Sequence, residues 1–276
     1  DPDDTKGALP YDTYTLEELP CSANYGKDLL VLGGIPVKEA GVSIDLGELT
    51  NQTIHIKSEA VDAKTGTHTI AAERDARITD NYIIQGLTAG RTYRLAVTAR
   101  DAKTGVPIEK NGVPVTSETT VVSGGNSASA TVELLLDTYS MAGTAIVCTA
   151  DLYWMDQKIA SHEDLLDQAQ TVYVPTIGTT AKDGQTQSHT GSVGKETTLI
   201  DIVAYTGLTQ GKEYEVTGTL MVRETGEELL ASGEPVTTKT TFIPKERDGT
   251  VELVFSFDSS SLAGQTVVAF EEIIYK

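Results

Sequence analysis

The chain reads as an all-β protein made of tandem Ig-like antiparallel β-sandwich domains, and three observations carry that reading. Apolar and polar residues alternate with period two in Tyr93-Arg94-Leu95-Ala96-Val97, in residues 214–220 (YEVTGTL) and in residues 251–257 (VELVFSF), as strands with one buried face require. These runs are rich in Val, Thr and Tyr and are punctuated by glycine turns such as Lys103-Thr104-Gly105 and Glu224-Thr225-Gly226, the spacing of hairpin-linked sandwiches. The chain is also built from copies. Residues 56–69 (IKSEAVDAKTGTHT) and 177–190 (IGTTAKDGQTQSHT) share one skeleton at an offset of 121 (177 − 56). Without any gap, that offset also pairs Asp80 with Asp201, Gly90 with Gly211, Tyr93 with Tyr214, Asp137 with Asp258 and Gly143 with Gly264. A period this long matches a whole small domain rather than a solenoid unit.

Taken in order, residues 1–50 have strand candidates at residues 13–19, 29–32 and 42–46. Their apolar content is too small for an independent sandwich. They are expected to be the C-terminal part of a preceding β domain plus a linker. Repeat 1 spans residues 51–174 and repeat 2 residues 175–276. In each, a glycine-framed turn leads into a strand, residues 86–93 (GLTAGRTY) and 207–214 (GLTQGKEY), with the Leu and Tyr packing inward and the glycines taking the tight backbone. Helix signals are almost absent. The exception is residues 161–167, where Ser161 is placed to cap one short turn before a fresh strand, Thr171-Val172-Tyr173-Val174.

Lys plus Arg number 21 against 40 Asp plus Glu, and the net charge of −19 repels phosphate backbones and anionic lipid alike. Nucleic acid is not an expected partner. The longest uncharged apolar stretches are strand-sized, residues 144–150 among them, which gives no membrane span in this chain. Nothing at Asp1 reads as a signal peptide, so the chain is expected to be a mature or excised piece. Cys21 and Cys148 lie 127 residues apart (148 − 21) without CxxC spacing or a nearby His cluster. Neither a metal site nor a cofactor is expected. Two readings stay open for these cysteines, a bridge from the N-terminal segment into repeat 1 in an extracellular protein, or two buried thiols.

Recurrent polar residues are the first candidates for chemistry. Asp62/Asp183 and His68/His189 fall in or beside the turn after the first strand of each repeat, where Asp and His have structural work to do. There is no Ser-His-Asp order, P-loop, HExxH or EF-hand pattern, and a turnover enzyme is not expected. His162, Asp167 and Gln170, clustered within nine residues in front of a new strand, are different, although an exposed acidic turn explains them about as well.

Residues 162–172 (HEDLLDQAQTV) resemble the pattern H-x-D-x-x-D-x-x-Q-T-V at the closing strand of the T-Q ester-bond domains. These are also called VaFE repeats and form the stalks of Gram-positive surface adhesins. The V-A-F-E motif itself stands in repeat 2 as Val268-Ala269-Phe270-Glu271, and the opening I-x-T-x-A-x-D as residues 177–183. The resemblance covers nearly all of residues 50–276. Residues 9–18 additionally resemble the end of a B-type pilin-like domain.

The resemblance implies an internal ester, formed when a Thr on the first strand attacks a Gln side chain on the last and ammonia leaves. It assigns His162 as base, Asp167 as assisting acid and Gln170 as acyl donor in repeat 1, where Ser58 stands at the Thr position and a Ser58–Gln170 crosslink would result. The Glu of the motif, Glu271, aligns with Ala150; Asp137, recurrent as Asp258, is the candidate substitute acid. Repeat 2 has Thr179 and Glu271, but the equivalents of His162 and Gln170 would fall at 283 (162 + 121) and 291 (170 + 121), past Lys276. Its closing strand is absent from these residues, and its open edge is a template for a strand from another molecule.

The expected role is a structural stalk module of an extracellular, cell-wall-anchored adhesin, with the neighbouring domains of the same adhesin as partners. The alternative is a ligand-binding module whose sandwich loops recognise a host glycan or protein. Tyr153-Trp154, the only dense aromatic pair, is read as strand packing.

Overall fold

A computed structural model describes residues 9–276; the first eight residues of the 1–50 segment lie outside the described part. Repeat 1 has six long strands: β3 (His55–Asp62), β4 (Ala76–Gln85), β5 (Thr92–Asp101), β8 (Thr116–Val122), β9 (Ser127–Leu136) and β10 (Ala145–Trp154). Two shorter ones close it, β11 (Gln157–His162) and β12 (Thr171–Tyr173), while β6 (Glu109–Lys110) and β7 (Val113–Pro114) form a small ribbon. The order β3-β4-β9 makes one sheet and β11-β10-β5-β8 the other, with β12 added on β10, every pairing being antiparallel. The two sheets pack face to face as an Ig-like sandwich, the fold class expected from the alternation.

Repeat 2 reuses the plan. Its strands β13 (Thr176–Asp183), β14 (Thr197–Thr206), β15 (Tyr214–Val222), β19 (Thr237–Phe242), β20 (Gly249–Phe257) and β21 (Val267–Tyr275) match β3, β4, β5, β8, β9 and β10 at the 121 offset to within one residue at either end. Three two-residue strands, β16 (Glu227–Glu228), β17 (Leu230–Ala231) and β18 (Glu234–Pro235), edge it. Nothing among the described residues corresponds to β11 and β12.

Alternation decides which side chains meet. Along β4, Ala76, Ile78, Asp80, Tyr82 and Ile84 point inward and are all buried, so a carboxylic acid and a phenol sit on an otherwise apolar face. The turn after β4 is equally constrained. Gly86 has φ +82°, and a Cβ there would lie 1.9 Å from the Thr53 carbonyl oxygen, so only glycine fits. As expected of these turns, Leu87 and Tyr93, like Leu208 and Tyr214, are buried. The tyrosine hydroxyls accept from the Thr88 and Thr209 amides at 3.0 Å each.

The N-terminal segment is divided. β1 (Asp12–Glu17) and β2 (Val31–Val37) form a two-stranded ribbon, whereas residues 42–46, expected as a strand, are irregular, with Val42, Ile44 and Leu46 exposed. Three alternating apolar residues make no strand where no sheet edge receives them. Between β1 and β2 the chain docks into repeat 1. Leu29 joins its core, and the buried Asp28 carboxylate accepts from Arg91 Nη1 (3.0 Å), the Thr88 amide (2.8 Å) and the Tyr93 hydroxyl (2.8 Å). Arg91 in turn lies over the Trp154 ring at 4.1 Å. Trp154 is therefore half-buried packing, as the sequence suggested, and not an exposed aromatic.

Between the repeats, Thr69 Oγ1 donates to the Gly207 carbonyl (2.9 Å) and accepts from the Tyr214 hydroxyl (3.2 Å). Arg247 of repeat 2 lies over the Tyr173 ring of repeat 1 at 4.2 Å. Among the described residues no helix is long and apolar enough to cross a membrane.

Removing one partner of a buried ion pair strands the other charge. Asp28→Ala is expected to destabilise repeat 1 by about 3 kcal/mol in urea titration, although residue 28 lies outside the repeat in sequence.

Candidate crosslinking site

In repeat 1 the first strand and the closing turn meet. Ser58 faces inward from β3 and pairs across the ladder with Tyr82; Ala60 pairs with Asp80 in the same way. Cross-strand partners share a face, so Ser58, Tyr82 and Asp80 converge. From the other sheet come Cys148 and Ala150 on β10, both buried, and His162 on β11, which pairs with Ala150.

The segment carrying Gln170 differs from expectation in its cap. Ser161 and His162 belong to strand β11, and the short turn is a 3-10 turn (Gln168–Gln170) with Asp167 as its N-cap. Asp167 Oδ1 accepts from the Ala169 amide at 2.9 Å, and the Asp167 carbonyl accepts from Thr171 Oγ1 at 2.7 Å. This turn pushes Gln170, which is fully buried, against β3. Its Nε2 contacts Ser58 Oγ and reaches Asp80 Oδ1 at 3.5 Å. Its Oε1 is buried with no hydrogen-bond partner, an arrangement that costs about 1–3 kcal/mol.

The polar groups divide the work. Asp167 Oδ2 accepts from His162 Nε2 at 2.9 Å, which fixes the imidazole and leaves Nδ1 as the basic nitrogen. Asp167 thus stands behind His162, and the carboxyl group facing the Gln170 amide is Asp80. Tyr82 donates to Asp80 Oδ2 at 2.5 Å, and the buried Cys148 thiol neighbours the carboxyl. Burial, opposed by these hydrogen bonds and by nearby His162, pushes Asp80 up to about 6. Burial likewise raises Tyr82 and Cys148, keeping both neutral.

Several sequence expectations are corrected. Asp137, the candidate substitute acid, sits in the turn leaving β9 and accepts from the Tyr139 amide at 3.2 Å; it takes no part in the cluster. Its counterpart Asp258 is exposed and accepts from the Ser260 amide at 2.9 Å. Both lie just past the end of a strand, where a short acid serves the turn. Cys21 and Cys148 are both free, the first exposed and the second buried, because Cys148 points into the sandwich core and Cys21 lies on the surface. Asp80 and Asp201 were visible as a recurrent pair, yet sequence reasoning gave them no role. An acid at an inward position of an alternating strand was the available signal. The recurrent turn residues do structural work as expected: Asp62 accepts from the Thr65 amide, and His68 and His189 bond carbonyls of Thr171 and Ala181.

In repeat 2, Thr179 pairs with Val203 on the exposed end of the same face, and Ala181 pairs with Asp201. Asp201 is buried against Glu271, and neither Asp201 oxygen has a donor partner. Two facing carboxyl groups bond only if one keeps a proton; burial and the Asp201 charge accordingly raise Glu271, and burial raises Asp201. A cleft of about 820 Å³ runs between β13 and β21, lined by Thr179, Ala181, Val267 and Ala269 among others. Repeat 1 holds its 3-10 turn and β12 between the equivalent strands β3 and β10.

A β-sandwich whose first strand presents a hydroxyl to a buried glutamine amide beside an acid and a histidine is a domain built for a side-chain crosslink. The family model described as "T-Q ester bond containing domain" matches residues 54–174 and again residues 175–276, and the chain belongs to that family. No curated protein matches the chain. Two solved structures of a bacterial adhesin from Mobiluncus mulieris, described as containing intramolecular disulfide, isopeptide and ester bond crosslinks, are similar at 13% and 12% identity. They have TM-scores of 0.38 and 0.39 and coverages of 79% and 80% of this chain and 80% and 99% of theirs. Red sea bream transglutaminase is similar at 13% identity and TM-score 0.26, over 83% of this chain and 31% of its own. At these scores the likenesses carry no argument.

The raised Asp80 has a consequence for stability. Below the ordinary carboxylate value of 3.8 both folded and unfolded chains hold the proton; between 3.8 and about 6 only the folded chain does. Stability from protonated Asp80 is therefore lost as pH rises through that window. In a Ser58→Ala background, unfolding free energy should fall by roughly 2 kcal/mol from pH 4 to pH 6.5 relative to the Asp80→Asn, Ser58→Ala double variant. Parallel pH curves for the two proteins would contradict this assignment.

Proposed function

We propose that this chain is a structural stalk module of a bacterial surface adhesin, and that repeat 1 locks itself with an ester between Ser58 and Gln170. The observation that carries the reading is the contact between Ser58 Oγ and the fully buried Gln170 amide, with Asp80 against the same nitrogen. In the reaction, Ser58 Oγ attacks Gln170 Cδ as a base takes the hydroxyl proton. The Cδ–Nε2 bond then breaks as that nitrogen is protonated, and one ammonia leaves. His162, oriented by Asp167, serves as the base, and Asp80, poised near neutrality, relays the proton to the departing nitrogen. Folding supplies the alignment, worth on the order of 7–11 kcal/mol for a well-oriented intramolecular pair. The event happens once per molecule, so this is no turnover enzyme.

The mechanical sense lies in the positions of the two residues. Repeat 1 enters at residue 54 and leaves at residue 174, and the ester would sit four residues inside each end (58 − 54 and 174 − 170). Load would bypass nearly the whole sandwich. In this reading the β1–β2 ribbon, with Tyr11 and Leu19 exposed, is the exit edge of a neighbouring β domain of a protein displayed outside the cell on the cell wall. Thr179, Asp201 and Glu271 are proposed to react in the same way once a strand carrying a glutamine and a histidine occupies the cleft between β13 and β21.

Intact mass spectrometry checks repeat 1: the wild type should weigh one ammonia less than its sequence, and Ser58→Ala should retain the full amide mass. Cutting a loop of 112 residues out of the crosslinked set removes about 4–5 kcal/mol, so Ser58→Ala should melt on the order of 10–20 °C lower. For repeat 2, a peptide of residues 157–174 added in excess should give an adduct lighter than the sum by one ammonia. Thr179→Ala should give none.

A further inference from the structure

The two repeats differ at the reacting centre by a coordinated exchange. Where repeat 2 has Val203 and Glu271, repeat 1 has Tyr82 (203 − 121) and Ala150 (271 − 121). The position beside Ala150 on the neighbouring strand is Val97, and the position beside Glu271 is Gly218. A Cβ on Gly218 would lie 2.7 Å from Leu253 and from Phe255; repeat 1 has the smaller Val132 and Leu134 there. At these exchanged positions each repeat thus presents one polar group to the buried Asp, delivered from a different sheet. Glu271 comes from β21 toward Asp201, and Tyr82 comes from β4 itself toward Asp80.

We propose that Tyr82 replaces the missing second acid of repeat 1, acting as the positioning residue that holds Asp80 for ester formation. The inference rests on the Ser58–Gln170 reading above. Tyr82 is fully buried and donates to Asp80 Oδ2, leaving Oδ1 to face Gln170 Nε2. The same phenol neighbours Ser58 across the ladder. In repeat 2 a protonated Glu271 would offer Asp201 the same single donor. A carboxyl pair must share a proton to do so, whereas a phenol keeps its proton through the range in which carboxyls titrate. Repeat 1 therefore reaches the same arrangement with one titrating group fewer. Overall the Ser58 hydroxyl proton ends on the ammonia nitrogen, the Oγ–Cδ bond replaces the Cδ–Nε2 bond, and Tyr82 keeps its proton throughout.

The test is the extent of ammonia loss, followed by intact mass after synthesis, in four full-length proteins: wild type, Tyr82→Phe, Tyr82→Val, and Tyr82→Val with Ala150→Glu. The expected result is a fully crosslinked wild type and a Tyr82→Phe protein that folds, by its circular dichroism and cooperative melting, but crosslinks at least ten-fold more slowly. The Tyr82→Val single variant should fail likewise, and the double variant should regain crosslinking. Ring packing alone would not give that rescue, because the double variant restores a donor and not a ring. A folded Tyr82→Phe protein that crosslinks at the wild-type rate overturns the inference while leaving the ester intact. An uncrosslinked wild type overturns the ester itself and the inference with it. Should Tyr82→Phe not fold, the double variant decides: folded without ammonia loss, it overturns the proposal.

Discussion

A carboxyl group with no solvent exposure, Asp80, is the constraint around which repeat 1 is arranged. An isolated charge in such a place would be prohibitively costly, and the structure answers with a phenol, a thiol and a glutamine amide within reach. Each of those is itself buried and comes from a different element, so the acid ties β4, β10 and the closing turn to one point. The same arrangement leaves the Gln170 carbonyl oxygen without a donor. An unmet buried acceptor beside a hydroxyl is a cost that packing alone does not explain.

Repeat 2 shows the same constraint met in another way. Its buried acid faces a second acid, and burial raises both carboxyl groups. The apolar residues around it change in step, larger on one sheet where glycine stands on the other. Close packing enforces this coupling, because a side chain as large as tyrosine or glutamate enters a filled interior only where a neighbour has withdrawn.

Much of this was legible in the residues. The period-two runs placed β5, β15 and β20, and the long strands of the second repeat follow those of the first at the 121 offset to within a residue. The closing residues His162, Asp167 and Gln170 stood out by clustering within nine residues in front of a new strand. What misled was position along the chain. Asp137 recurs and lies near the last long strand, yet it is one residue past the end of β9 and caps a turn. Ser161 resembles a helix cap, yet it is the penultimate residue of a strand. Asp28 lies in the segment read as the tail of another domain, and only the fold carries it to Arg91.

The sequence by itself determined the fold class, the copy number, and which copy holds a serine and which a threonine, because alternation, turn chemistry and register are local properties of the chain. Only the tertiary structure decided which acid faces the glutamine and which side chain donates to that acid. That choice depends on which inward positions of two separate sheets are brought opposite one another, a distance in space that no spacing along the chain encodes.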